Sequence, residues 1–166
     1  MLITSSNQSM DIVDLAQIPQ AIETLARWHY DEWQQLYPEE SLADFIADLR
    51  ASTAAIPVPS TFVARENDVL IGSISLLERD MEIDEPWTPW LANLFVHPDY
   101  RQRGVGKQLI KHLTQFCRAN AVKQLYLFTP ESRSYYETLG WTLVRRQAYK
   151  GQMVDIMVRA ISAEAP

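Results

Sequence analysis

The hydrophobic periods along this 166-residue chain predict an α+β fold, in which helices cover a mixed sheet containing one parallel crossover. Three observations carry that prediction. Apolar residues recur at three- and four-residue intervals through residues 18–50, the period changes to alternation from residue 60, and a strand, helix, strand unit runs from residue 90 to 128.

A first helix is expected over residues 18–36, where Ile18, Ile22, Leu25, Ala26, His29, Trp33 and Leu36 share a face and Pro19 suits a first turn. Tyr37-Pro38-Glu39-Glu40 ends it. Ser41 then caps a second helix, with Asp44 three positions on and Leu42, Phe45, Ile46 and Leu49 as its buried stripe. Residues 52–60, with Pro57 and Pro59, read as a loop. Strands at 61–66 and 69–77 flank Glu66-Asn67-Asp68 and form a hairpin. The acidic stretch Glu78 to Glu85 and the prolines Pro86 and Pro89 exclude regular structure until Trp90. Residues 90–96 are a nearly continuous apolar run, the mark of a central strand covered on both faces. After His97-Pro98-Asp99-Tyr100, a long helix places Val105, Leu109, Ile110, Leu113, Phe116 and Cys117 on one face. The next strand, 122–128, completes a crossover and therefore runs parallel to 90–96. A short helix near 132–138 stops at Gly140, and strands at 141–149 and 153–160 close a second hairpin around Lys150-Gly151-Gln152. An early strand near 10–15 also fits the pattern, and the tail Ala163-Glu164-Ala165-Pro166 reads as frayed.

The length suits one domain, and 47% apolar residues suffice for one core. A net charge of −6 argues against nucleic acid as a partner, because phosphate neutralisation needs Lys and Arg in excess. The single cysteine, Cys117, excludes a disulfide framework and any cysteine-rich zinc module, and sits on the apolar helix face as an inert core thiol. His29, His97 and His112 lack metal-ligand spacing, so no metal is expected. Met1 to Asn7 lacks the features of a secretory signal, and no stretch approaches the roughly 20 apolar residues of a membrane span. A cytoplasmic protein without membrane partners is expected.

Chemistry concentrates in residues 94–107, where a buried strand turns into the first turn of the long helix. Such a turn presents amides with no intrahelical partner, the dipole adds positive charge, and two glycines leave the backbone bare. It suits phosphate oxygens. A P-loop is excluded because Gly106-Lys107 is followed by Gln108 with no glycine five places before Gly106, and a dinucleotide fingerprint fails because its third glycine falls on Leu109. Arg101, Arg103 and Lys107 crowd this turn, where the dipole disfavours cations, and an anion between them accounts for that crowding.

Arg101-x-x-Gly104-x-Gly106 on a strand-to-helix turn resembles the pyrophosphate-binding motif of the GNAT superfamily of acyl-CoA-dependent N-acyltransferases, Gln/Arg-x-x-Gly-x-Gly/Ala. A second block, Ser134-Tyr135-Tyr136-Glu137-Thr138-Leu139-Gly140-Trp141, is similar to the family's aromatic-Tyr-Glu-x-x-Gly-aromatic segment. The resemblance spans roughly residues 60–160. It implies a mixed, mostly antiparallel central sheet with a parallel, splayed strand pair and helices on both faces. One domain over 1–166 is implied, with helices 18–50 facing the substrate and a coenzyme A-binding core at 90–141.

The resemblance further implies that backbone groups of Leu94, Phe95 and Val96 pair with the pantetheine arm of acetyl-CoA and polarise the thioester carbonyl. It implies that Gln102, Arg103, Gly104, Val105, Gly106 and Lys107 hold the pyrophosphate. Tyr136 then protonates the departing thiolate, while Tyr135 packs. No family-type glutamate stands at Leu127-Phe128-Thr129-Pro130 and Asn93 is no base, so the amine's proton goes to Glu82, Asp84 or Glu85 through water, or the amine arrives neutral.

The implied reaction is acetyl transfer from acetyl-CoA to the primary amine of a small or peptidic acceptor. Rival readings are a protein lysine or N-terminal acetyltransferase, a non-catalytic acyl-CoA-binding module, and a regulatory or partner-binding domain such as a homodimer paired through the C-terminal strands. An open trough between the 37–41 break and the 149–152 turn suits a polypeptide, a closed one a metabolite. The acidic run Glu78, Asp80, Glu82, Asp84 and Glu85, with Asp31, Glu32, Glu39 and Glu40, is either a solvated surface or a lure for an amine, and Trp28, Trp33, Trp87 and Trp90 are either pocket lining or core.

Overall fold

A computed structural model describes residues 9–162; the N-terminal signal reading and the frayed tail fall outside them. Seven strands form one sheet: β1 (Met10–Asp14), β2 (Ser60–Glu66), β3 (Val69–Leu77), β4 (Trp90–Val96), β5 (Gln124–Thr129), β6 (Thr142–Tyr149) and β7 (Gln152–Ala160), in the order β1-β2-β3-β4-β5-β7-β6. The helices are α1 (Ile22–Trp33), α2 (Leu42–Ala51), α3 (Val105–Ala119) and α4 (Arg133–Thr138). The early strand is present, pairing antiparallel with β2.

The side-chain alternation of β2 divides the core in two. Phe62 and Ala64 join the α3 face with Leu109, Leu113, Cys117, Leu125 and Leu127, while Val63 faces Leu15, Leu25, Ala26 and Leu49 of the α1 and α2 side. Farther along this second face, Met81 of the loop between β3 and β4 packs with Trp90, Tyr126, Tyr149 and Ile156. Helices therefore lie on both faces, and the acidic loop roofs the part of the sheet that α1 and α2 leave open.

Several boundaries move, each for a local reason. Residues 18–36 are not one helix: Pro19–Ala21 forms a 3-10 turn, α1 begins at Ile22, and the chain tightens after Trp33, where Leu36 N bonds Trp33 O at 2.9 Å. The strand expected from 122 begins at Gln124, because Val122 N donates to Cys117 O (2.9 Å) and Ala121 N to Arg118 O (3.4 Å) with Ala121 at φ +60, a Schellman closure of α3. The Ser41 cap forms as expected, with Ser41 and Asp44 bonding each other's backbone amides.

The crossover strands are parallel yet meet only at their start. Trp90 registers with Tyr126, Tyr126 N bonds Pro89 O at 3.0 Å, and no further pair joins β4 to β5 among the described residues. The divergence follows a bulge in β4: Ser75 pairs with Ala92 and Ser73 with Phe95, so Asn93 and Leu94 stand against a single residue of β3, with Asn93 at φ +54. Such an insertion bends a strand and increases its twist.

Candidate active site at the splayed strands

The turn entering α3 has an open backbone. The first helical bond is Gln108 N to Gly104 O at 3.0 Å, so the amides of Val105, Gly106 and Lys107 precede the ladder, and those of Gln102, Arg103 and Gly104 make no backbone bond among the described residues. Gln102 (φ +65) and Gly104 (φ +81) alternate left-handed conformations with their neighbours, a geometry that gathers N–H groups into an anion-binding concavity. Glycine at 104 is favoured by that φ, where a side chain is strained. At 106 it is not: a Cβ would meet only Val96 Cγ2, at an ordinary 3.8 Å. Neither packing nor backbone requires a bare residue there, which leaves close approach by a ligand as its use.

Two of the three cations at this turn have partners of their own, which corrects the expectation that an anion accounts for all three. Arg101 Nε donates to Val96 O at 2.7 Å with its guanidinium over the Phe95 ring, and Arg103 pairs with Glu66 at 3.6 Å and lies over Tyr100. Lys107 is exposed and has no carboxylate within salt-bridge distance among the described residues.

At the end of β4 the strand's alternation separates the three expected residues. His97 N bonds Ile71 O of β3 at 2.8 Å, so Phe95, two residues earlier, also presents its backbone to β3, and its carbonyl crowds Gly72. Leu94 and Val96 present theirs to the gap beside β5, where the Val96 carbonyl is taken by Arg101. The free donors at the splay are thus the amides of Leu94 and Val96. Phe95 contributes a buried ring, packed at 5.5 Å from Trp28 and 6.3 Å from Trp33.

Tyr136 lies on α4, whose start is fixed to the end of β5 by Ser132 N donating to Thr129 Oγ1 at 3.0 Å. It is 8% exposed and shares a core cluster with Val105, Leu109 and Leu127, so its ring lies in the layer joining α3 to β5. Burial and the neighbouring Tyr135 push its phenol up to about 12. Tyr135, expected to pack, is 42% exposed, because a six-residue helix buries one narrow face and Tyr136 occupies it. Cys117 is buried and its thiol is pushed up to about 12 by desolvation, in keeping with an inert core role.

Across the sheet, the 37–41 break and the 150 turn touch. Lys150 Nζ sits 5.0 Å from the Tyr37 ring centroid and 5.6 Å from that of Tyr149, and 3.7 Å from Glu82. Tyr149 OH accepts from Glu82 N at 3.0 Å. Burial, then the charges of Asp80, Glu40 and Glu82, raise the Tyr37 phenol. Glu85 is held by Arg145 at 2.7 Å and lowered by that bond, and Glu82 is 88% exposed. Asp80 is half-buried without a bonded partner among the described residues, and desolvation pushes its carboxyl up to about 8. Trp28 and Trp33 flank Phe95 half-buried, whereas Trp90 is core and Trp87 stacks on Tyr126 at 5.4 Å.

Sequence reasoning missed a buried polar chain behind the bulge. His29 Nε2 lies 2.9 Å from Ser73 Oγ, Ser73 Oγ donates to Asn93 O at 3.3 Å, Asn93 Nδ2 donates to Ser75 Oγ at 3.2 Å, and Ser75 Oγ lies 2.8 Å from Thr61 Oγ1. Its signal was the serine pair Ser73 and Ser75, period two inside an otherwise apolar strand.

A model of the acetyltransferase (GNAT) family matches residues 22–141. No curated protein matches. Among solved structures, an aminoglycoside 6'-N-acetyltransferase complexed with coenzyme A superposes with a TM-score of 0.74 at 16% identity, over 94% of this chain and 99% of its own. An acetyltransferase from Streptococcus agalactiae is 25% identical over 92% of this chain and 99% of that one, with a TM-score of 0.67. A putative acetyltransferase from Salmonella typhimurium with its cofactor acetyl-CoA gives 0.70 at 14% identity, over 95% and 96%.

Proposed function

The chain belongs to the acetyltransferase (GNAT) family, and from that premise we propose that it transfers acetyl from acetyl-CoA directly to the primary amine of a small, cationic acceptor. The observation that carries the reading is the open turn at 102–107, with Gly106 bare for no reason internal to the fold, beside a strand whose Leu94 and Val96 amides lack a partner strand. Six amides and Lys107 suit the charge of a diphosphate. The solved relatives holding coenzyme A or acetyl-CoA support the same donor.

Each residue then has a task. The Leu94 amide bonds the thioester carbonyl and the Val96 amide the pantetheine arm, as a further strand would. Asp80 takes one proton from the bound ammonium, leaving a neutral amine to attack. As the carbon–sulfur bond breaks, Tyr136 gives its proton to the thiolate and is restored by the second proton lost from nitrogen; burial keeps the phenol protonated until the thiolate departs. The half-buried Glu40 and the exposed Glu82 favour a cationic acceptor. Lys150 closing on Tyr37 supports an acceptor of metabolite size over a polypeptide, and the aminoglycoside enzyme among the structural neighbours is consistent with this.

The test is an acetyl-CoA-dependent thiol-release screen across polyamines, aminoglycosides, amino acids and peptides, run beside Tyr136→Phe. Turnover with a small polyamine or aminoglycoside, lost by about 100-fold in the variant with coenzyme A affinity retained, is expected. Binding of acetyl-CoA without turnover on any amine makes the chain a binding module and overturns the proposal.

A further inference from the structure

The hydrogen-bond chain behind β4 assigns a role to a residue far in sequence from every motif. Ser73 is wholly buried and has one hydroxyl proton, which goes to the carbonyl of Asn93 at 3.3 Å. The tautomer that satisfies both contacts has Nε2–H of His29 donating to Ser73 Oγ across 2.9 Å. Asn93 is the left-handed residue of the bulge, and its carbonyl stands outside the β3–β4 ladder. Ser73 replaces the missing ladder partner for its backbone, and Ser75, itself tied to Thr61 of β2, holds its side chain. The residue after Asn93 is Leu94, whose amide faces the splay.

We propose that His29 is a positioning residue for acetyl transfer: from α1 it fixes Ser73, which holds the bulge carbonyl of Asn93 and so aims the Leu94 amide at the thioester carbonyl. This inference rests on the proposed reaction. The ring is placed to do it, 2% exposed and packed 5.1 Å from Trp33 and 6.4 Å from Phe95. Burial lowers its pKa to about 4, which keeps the ring neutral. A peptide amide is worth most as an oxyanion donor when it needs no reorganisation at the moment of reaction, and a bulge held from both β3 serines and from α1 has little to reorganise.

The experiment compares wild type with His29→Leu, His29→Gln, Ser73→Ala and the double variant His29→Leu/Ser73→Ala, each confirmed folded by thermal melting. His29→Leu is expected to lower kcat by about 10- to 100-fold with KM for acetyl-CoA within about twofold, because the donor is misaimed while the phosphate turn is untouched. His29→Gln, whose amide can still donate to Ser73, restores most of kcat. Adding His29→Leu to Ser73→Ala costs nothing further. In parallel, the carbonyl resonance of bound acetyl-CoA labelled with ¹³C at that carbon is expected to lie downfield of free ligand in wild type and to move back in His29→Leu. An unchanged kcat in folded His29→Leu, a fully additive double variant, or an unmoved carbonyl resonance overturns the proposal. A polarised carbonyl in wild type without turnover on any amine overturns the transfer reaction alone, and if wild type binds no acetyl-CoA both readings fall. Should His29→Leu not fold, the carbonyl shift and kcat of His29→Gln and Ser73→Ala decide: losses in Ser73→Ala that His29→Gln escapes support the chain, and their absence overturns it.

Discussion

Lys150 places its ammonium 5.0 Å from the centre of the Tyr37 ring, joining the hairpin turn of β6 and β7 to the break between α1 and α2. That contact spans the entrance an acceptor must use, and it is a cation–π contact at the surface, worth about 0.5–1 kcal/mol. Lys150→Ala is accordingly expected to leave thermal stability nearly unchanged while raising kcat/KM for peptide amines relative to small amines by about tenfold, the scale on which one side chain's fit discriminates substrates. Steady-state rates on a paired peptide and polyamine check it; an unchanged ratio removes the closure argument.

Asp80 should set the acid limb of the activity profile. A base with its pKa raised to about 8 is charged only above that pH, so kcat/KM rises as pH rises through about 8. Asp80→Asn is expected to abolish that limb and lower the rate by about 100-fold. The same shift acts on stability with its own sign. The folded pKa exceeds the unfolded one, so Asp80 stabilises below pH 4 and that contribution is lost as pH climbs toward 8. Urea midpoints of Asp80→Asn should therefore vary less between pH 5 and 8 than those of wild type.

His29 has the opposite linkage. Its folded pKa of about 4 lies below the ordinary 6.5, so the unfolded chain binds the extra proton and stability falls as pH drops from about 6.5 toward 4. Between pH 7 and 5 this is about 2 kcal/mol, measurable as a urea midpoint shift that His29→Gln flattens.

Glycines 104 and 106 should behave differently when replaced. Gly104→Ala forces a side chain into φ +81 and is expected to cost about 1–2 kcal/mol of stability. Gly106→Ala meets only an ordinary contact and is expected to gain about 0.5–1 kcal/mol. Gly106→Glu places a carboxylate over the open amides, so the protein is expected to stay folded while acetyl-CoA affinity drops by about 100-fold. Calorimetric melting and binding titrations read these separately, and unimpaired binding by Gly106→Glu contradicts the phosphate assignment of the turn.

Much of this molecule is legible in the chain itself. The Ser41 cap, the Asn67-Asp68 turn, the α3 stripe and the Gly104 and Gly106 pair are set by residues within one or two turns of each other, where backbone sterics and period decide the outcome. The parallel relation of β4 and β5 follows equally from the helical crossover that connects them. The start of β5 at Gln124 rather than 122 is not legible, because Val122 is apolar in either role and its bond to Cys117 O decides which one it takes.

What only the tertiary structure decided depends on which distant elements abut. Nothing near Asn93 in sequence reveals that β3 carries two serines to hold a bulge there, or that α1 delivers His29 to one of them. Asp80 differs from Glu82 and Glu85 in having no cationic partner among the described residues and in being desolvated. Arg101 belongs to the motif by spacing, yet its strongest bond is to the strand it follows. Local sequence specifies dihedral preference and periodicity, whereas desolvation and hydrogen-bond partnership arise only when strands remote along the chain are brought side by side.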